Sequence, residues 1–193
     1  MAITARTADE CVEKFRAHLA PLVASVFGSS SYFGKLDIEK TGTTSRVGFL
    51  QGTVLVPITI ETRCGPLDFY VSQLVKAERV KGGKSDQSFR LSTLKYQYIL
   101  AESVDSRAEV MRWEYDRVLP EGKLHCRHHL HQRHTIKLGT ADFDLDKAHM
   151  PTGWVLLEEV FRFLIVELSL KPATPDWDDR LIRSTRKFHD SFT

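Results

Sequence analysis

The chain has 193 residues, and 27 Lys and Arg against 25 Asp and Glu leave a formal charge of +2. With 42% hydrophobic and 27% charged residues, it has enough apolar side chains for a core, which excludes disordered, collagen-like and coiled-coil proteins. Charges interrupt every apolar stretch well before the roughly 18 residues of a membrane span, so the sequence predicts no transmembrane helix.

The N-terminal residues and the cysteines bear on the cellular compartment. Asp9 and Glu10 stand where a secretory signal peptide needs an apolar stretch. The three cysteines are too few and too scattered for a disulfide framework, which is typical of a reducing compartment. We therefore expect a cytoplasmic protein that does not associate with a membrane.

Residues 1–31 predict an N-terminal helix. Thr7 followed three residues later by Glu10 forms a capping-box pattern. Apolar residues then recur at steps of three and four, which indicates one buried helix face. These apolar residues are Val12, Phe15, Leu19, Leu22 and Val26. We expect Pro21 to kink or divide the helix, because proline removes an amide donor and clashes with the preceding turn.

Residues 32–138 predict a β-sheet, because runs rich in β-branched and aromatic residues follow one another with no helix between them. Pro57 inside an early run indicates an edge strand or a bulge. The last two runs form a hairpin around Ser103–Arg107, so we expect an antiparallel meander. The clear runs are 53–62, 67–75, 89–102 and 108–118.

Residues 151–190 predict two helices. The first spans 153–170 and is apolar around most of its circumference, so it packs on the sheet or in an interface between two copies of the chain. Pro172 follows it, and Asp176 can cap the last helix, which displays a basic flank. The expected fold is a single α+β domain over residues 1–193, an antiparallel β-sheet meander flanked by an N-terminal helix and two C-terminal helices.

Three charged side chains share one face of the predicted strand at 108–118. Arg112, Glu114 and Asp116 occupy every second position, about 6.6 Å apart along an extended chain. Such a face can orient a histidine, bind a metal ion or hold a phosphate. A solvated face with ion pairs across strands is the alternative.

Five of the eight histidines fall between His125 and His134. In an extended conformation one face of this segment carries His125, Arg127, His129, His131 and Arg133, and the other carries Cys126, His128 and His134. Protonation of these imidazoles, below a pH of about 6.5, adds positive charge, which favours nucleic-acid binding. The residues expected to bind phosphates are Arg127, Arg133, His125 and His134.

A zinc site is an alternative use of the same segment. It would take its ligands from Cys126, a carboxylate and one or more of His128, His131 and His134. The spacing matches no standard structural zinc site, and the segment contains a single cysteine. We therefore expect neither a metal ion nor another cofactor.

Catalysis is the third use of the histidines. Metal-independent RNA cleavage needs a base for the 2′-hydroxyl, an acid for the leaving 5′-oxygen, and a cation near the phosphate oxygens. Imidazoles can serve as base and acid at neutral pH. The residues expected in these roles are His128, His129 and His131, with a cation from Arg112, Arg127 or Arg133 and a carboxylate from Glu114 or Asp116 to fix an imidazole tautomer. A histidine-rich surface loop without chemistry is the alternative.

Successive motifs of this chain resemble those of the TumE toxins of TumA/TumE toxin–antitoxin modules. In that family a Tyr-x-Tyr strand precedes an Arg-Tyr-Asp-Asn-like strand, a His-His-x-His segment and a helix with a Leu-Glu-Glu-Val-like start. The matching segments here are Tyr96-Gln97-Tyr98, Arg112-Trp113-Glu114-Tyr115, Arg127-His128-His129-Leu130-His131 and Leu157-Glu158-Glu159-Val160. The resemblance covers about residues 90–168 and implies a toxin that acts on RNA and an antitoxin that covers the histidine surface.

Together, the residues and the resemblance predict a toxin-like, metal-independent endoribonuclease. Its expected partners are RNA, a cognate antitoxin protein and, through the helix at 153–170, a second copy of the chain. Two other functions remain open: a non-catalytic RNA- or protein-binding assembly module with a histidine-rich basic surface, and a metal-dependent hydrolase.

Overall fold

The structure, a computed structural model, describes residues 3–28, 36–80, 88–103, 108–119, 126–138, 141–145 and 148–189. These residues form one N-terminal helix, a large antiparallel sheet and two C-terminal helices, which confirms the predicted α+β class. The helices are α1 (Ala8–Phe27), α2 (Leu157–Val166) and α3 (Trp177–His189). The strands are β1 (Thr4–Ala5), β2 (Leu36–Thr41), β3 (Thr44–Gln51), β4 (Val54–Leu55), β5 (Ile58–Thr62), β6 (Gly65–Arg79), β7 (Phe89–Glu102), β8 (Glu109–Asp116), β9 (His128–Gln132), β10 (Thr135–Leu138), β11 (Ala141–Asp144) and β12 (Met150–Pro151).

From β2 onward, the main path of the sheet follows chain order but leaves out strands β4 and β5 and strands β10 and β11. Its strand order is β2-β3-β6-β7-β8-β9-β12, and each neighbouring pair is antiparallel. The short strands β4 and β5 pair with β3 and β6, and Pro57 lies between them where the predicted run 53–62 is interrupted. Strands β10 and β11 form a separate two-stranded sheet. The strands β1, β11 and β12 lie outside the predicted range 32–138.

Helix α1 begins where the sequence predicts, but Pro21 does not divide it. The Thr7 hydroxyl oxygen accepts a hydrogen bond from the Glu10 amide at 3.1 Å, and the helix continues through Pro21 to Phe27. A proline inside a helix costs about 3 kcal/mol. Burial of each large apolar side chain, such as Leu19 or Leu22, contributes about 1.5–3 kcal/mol, so packing on the sheet offsets that cost.

Helix α2 is shorter than the predicted helix at 153–170. The amide of Val155 donates to the Tyr96 hydroxyl at 3.0 Å, and the amide of Leu156 donates to the Glu159 carboxylate at 2.8 Å. These two bonds hold the preceding residues outside the helix, which therefore begins at Leu157. The described residues include no helix that is long and apolar enough to cross a lipid bilayer.

The core lies between the helices and one face of the sheet. Phe27 of α1 and Phe161 of α2 pack with Phe49 and Phe69 of the sheet, with ring centroids 5.3–6.3 Å apart. Most apolar residues of α2 pack in this core, as the sheet-packing alternative requires, whereas Val166 at its end is exposed. Because side chains alternate along a strand, the residues between these core positions point to the opposite face of the sheet.

A buried polar contact joins the three helices. The Ser184 hydroxyl of α3 donates to the Glu158 carboxylate of α2, and the same hydroxyl oxygen lies 3.0 Å from Nε2 of His18 in α1. Ser184 and Glu158 are both buried. Because the serine hydroxyl donates to the carboxylate and not to the histidine, these residues connect the helices and the serine is not activated as a nucleophile.

Strands β3 and β6 pack so closely at Gly48 that any side chain there is expected to lower the stability of the protein. A β-carbon at Gly48 would lie 2.2 Å from the carbonyl oxygen of Val71, a backbone atom that no side-chain rotation can move. We expect Gly48→Ala to lower the free energy of unfolding by about 2 kcal/mol, measured by urea denaturation. Gly153→Ala is the matched control, because a β-carbon there meets nothing within 4 Å. Equal stability of the two variants would contradict the prediction.

Candidate functional site

Two neighbouring strands place a carboxylate and two histidines on the sheet face that points away from the helices. Glu114 of β8 lies directly opposite His129 of β9, and Arg112 lies opposite His131. Directly paired residues project to the same face, so these four side chains are neighbours. A third histidine, His149, precedes β12, which pairs with β9 and thus brings His149 beside His131.

The three histidines His129, His131 and His149 form what we call the histidine cluster. Their ring centroids are 4.7–5.0 Å apart, and one nitrogen from each ring lies within 4.8 Å of the others. His129 is 2% exposed and His131 is 7% exposed, whereas His149 is exposed. The cluster therefore brings three imidazoles together at a partly covered site that opens at His149.

His129 is held in one orientation by the backbone. Its Nδ1 lies 2.9 Å from the carbonyl oxygen of Cys126. A carbonyl oxygen only accepts hydrogen bonds, so Nδ1 is the protonated nitrogen and Nε2 bears the lone pair of the neutral ring. That Nε2 lies 3.5 Å from Oε2 of Glu114.

Glu114 lies in a network of donors. Nζ of Lys95 is 2.6 Å and Nε2 of Gln97 is 2.8 Å from its Oε1, while Nε of Arg112 is 3.1 Å from its Oε2. Burial by itself raises the pKa of the Glu114 carboxyl, but the Lys95 hydrogen bond and the positive charges of Lys95, of Arg112 and, when its ring is protonated, of His129 lower it below the ordinary value. Glu114 is therefore a carboxylate at neutral pH.

The two cations of this network contact further carboxylates. Lys95 lies 3.4 Å from Asp116, and Arg112 lies 2.8 Å from Glu109. The structure thus brings Arg112, Glu114 and Asp116 to one face, as the alternation of the sequence predicts.

His128 lies apart from the histidine cluster, on the core face of the sheet. Its ring stacks on Tyr115 with centroids 4.4 Å apart, and its Nδ1 lies 3.5 Å from the Tyr96 hydroxyl. Burial, together with the charges of His129 and Arg127, lowers the pKa of His128 below its ordinary value. The three histidines expected to catalyse together are therefore divided between the two faces of the sheet.

Three of the four residues expected to bind phosphates lie at the surface, next to the two ends of β9. Arg127 and His134 are exposed, and Arg133 is exposed but forms an ion pair with Glu102. His125 lies outside the described residues.

The ligand set of the zinc alternative also differs from the group that the structure assembles. His129 and His149 take the places expected for His128 or His134, and the Cys126 thiol contacts the carbonyl oxygen of His149 at 3.6 Å. Sequence reasoning missed His149, because it is far from the histidine-rich segment along the chain. The only sequence signal that could have placed His149 beside this segment is a reversal of the chain after β9.

The chain was compared with protein families, curated proteins and solved structures. No family model matches it, and neither a curated protein nor a solved structure matches it significantly. These comparisons do not bear on the resemblance to TumE toxins, which stays a prediction.

Proposed function

We propose that the protein is a toxin-like endoribonuclease whose reacting centre is the polar sheet face around the histidine cluster. The observation that supports it is the convergence of three imidazoles with a carboxylate, Glu114, that is flanked by Lys95 and Arg112. Phosphodiester cleavage requires proton transfer at two oxygens and positive charge near the phosphate, and these residue types supply both. The resemblance to TumE toxins agrees with RNA as the substrate.

The burial of the cluster favours a metal-assisted route over the metal-independent route expected from the sequence. His129 and His131 are each less than a tenth exposed, which leaves little room for an RNA hydroxyl to contact both rings. A small ion or a water molecule can enter where a nucleotide cannot. The two routes differ in their sensitivity to chelators.

The proposed setting is the cytoplasm, with an antitoxin as the regulatory partner. Cys11, Cys64 and Cys126 are thiols and not disulfides, as a reducing compartment favours. An antitoxin would inhibit RNA cleavage by covering the exposed His149 and the basic residues beside β9, including Arg127.

RNA cleavage by untagged protein tests this proposal. We expect wild-type protein to cleave labelled RNA, His149→Ala to lose at least about 100-fold in rate, and His134→Ala to lose at most about threefold, because loss of one phosphate contact weakens RNA binding without removing a reacting group. His134 is the matched control because it is also an exposed histidine near β9 but lies outside the cluster. EDTA is expected to abolish cleavage, and Zn²⁺ to restore it.

Three results would contradict this proposal, the first two in whole and the third in its metal-assisted route. If wild-type protein cleaves no RNA, either with or without added metal, the proposed endoribonuclease activity is wrong. RNA binding that weakens in graded steps in both histidine variants, with a steep salt dependence, would instead support the non-catalytic binding module. Cleavage that persists in EDTA but is lost in His149→Ala would support the metal-independent route.

A further inference from the structure

We infer that the histidine cluster is a binding site for one divalent transition-metal ion of the zinc type. The ligands are one ring nitrogen each from His129, His131 and His149. This inference depends on the side-chain geometry and is independent of the proposed ribonuclease activity. It differs from the sequence-based zinc alternative in its ligands, because neither Cys126 nor His128 takes part.

The spacing of the three rings is close to that of a loaded site. Ligand nitrogens about 2.0–2.1 Å from a tetrahedral zinc ion lie about 3.3 Å from one another. The cluster nitrogens lie within 4.8 Å of one another, so the widest pair needs to approach by up to about 1.5 Å. His129 and His131 are fixed by strand β9, whereas His149 is exposed and precedes a two-residue strand, so His149 can supply that movement.

The orientation of His129 agrees with metal coordination. Metal-binding histidines generally donate the second ring N–H to a carbonyl or carboxylate, which fixes the tautomer and aims the lone pair at the metal. In His129 the carbonyl of Cys126 takes Nδ1–H and leaves Nε2 as the ligand atom. Oε2 of Glu114 lies 3.5 Å from that Nε2, about one edge of a zinc coordination tetrahedron. Glu114 is therefore next to one ligand of the site, while, among the described residues, the group with donor atoms all within 4.8 Å of one another contains the three histidines alone.

The charges around the cluster admit a dication. Lys95 and Arg112 would repel a metal ion, but both form ion pairs with Glu114. Arg112 lies directly opposite His131, and its charge is offset by Glu114 and by a second carboxylate, Glu109. The imidazole donors also predict which ions bind. Nitrogen ligands favour Zn²⁺, Co²⁺, Ni²⁺ and Cu²⁺, whereas Mg²⁺ and Ca²⁺ prefer oxygen ligands.

Calorimetric titration of untagged, chelator-treated protein with Zn²⁺ tests the site, and Co²⁺ absorption reports its geometry. We expect one equivalent to bind to wild-type protein, with a tetrahedral Co²⁺ spectrum, a melting temperature that rises with zinc concentration, and no saturable binding of Mg²⁺. His149→Ala is expected to bind zinc at least about 100-fold more weakly. His134→Ala is expected to bind like wild type.

The outcomes separate the metal site from the proposed activity. Absence of saturable zinc binding, or equal zinc binding by wild type and His149→Ala, would overturn the metal site whether or not the protein cleaves RNA. Zinc binding without RNA cleavage would support the site and refute only the endoribonuclease. Because His149 is exposed, its substitution is expected to preserve the fold, and a circular dichroism spectrum equal to that of His134→Ala verifies this.

Discussion

Replacing Phe161 with alanine is expected to lower the free energy of unfolding by about 3–5 kcal/mol. Phe161 is fully buried, and its ring lies 5.3 Å from that of Phe27 and 6.2 Å from that of Phe69. It therefore joins α2 to both α1 and the sheet, and its removal leaves a cavity where three elements meet. The neighbouring aromatic rings are closely packed, so they cannot move into that cavity unless a helix also moves.

Urea denaturation followed by circular dichroism measures the effect of Phe161→Ala. Phe163→Ala is the control, because Phe163 lies on the same helix but is only partly buried, with its ring 5.4 Å from that of Trp113. We expect this control to lose clearly less stability, about 1–2 kcal/mol. Similar losses in the two variants would contradict the placement of Phe161 at the centre of the core.

The parts of the fold that the sequence predicted correctly depend on short-range signals. Thr7 caps α1 through a bond to a residue three positions away, and the hairpin of β7 and β8 joins consecutive runs of strand-forming residues. The alternation within β8 and β9 likewise placed Glu114 with Asp116, and His129 with His131. Period-two alternation is a local property of any strand, so the sequence alone contains it.

The parts that could not be predicted depend on contacts between distant residues. The predicted helix at 153–170 starts late because the Tyr96 hydroxyl, on a different strand, accepts the Val155 amide. Alternation already separates His128 from His129 and His131, but it cannot reveal which of the two faces the helices cover. His149 joins His131 only through the pairing of β12 with β9. Long-range pairing of this kind leaves no mark in the local sequence pattern.

Glu114 is the residue on which the stability of the site depends most. We expect Glu114→Ala to lower the free energy of unfolding by about 3 kcal/mol, because it leaves Lys95 and Arg112 without the carboxylate that both of them contact. This loss is at the lower end of the range for breaking a buried ion pair. The side chains of Lys95 and Arg112 are 35% and 25% exposed, so water can partly solvate them.

Asp116→Ala is the matched control, because Asp116 also contacts Lys95, at 3.4 Å, but lies at a more exposed position. This substitution is expected to lower the free energy of unfolding by less than about 1 kcal/mol in urea denaturation, and an equal loss of stability in the two variants would refute the central role of Glu114.

The isosteric Glu114→Gln separates the effect of Glu114 on stability from its effect on zinc binding. It removes the negative charge that offsets Arg112 beside the cluster, so we expect zinc to bind the folded variant about 10–100-fold more weakly. A purely structural Glu114 would leave the zinc affinity of that folded variant unchanged.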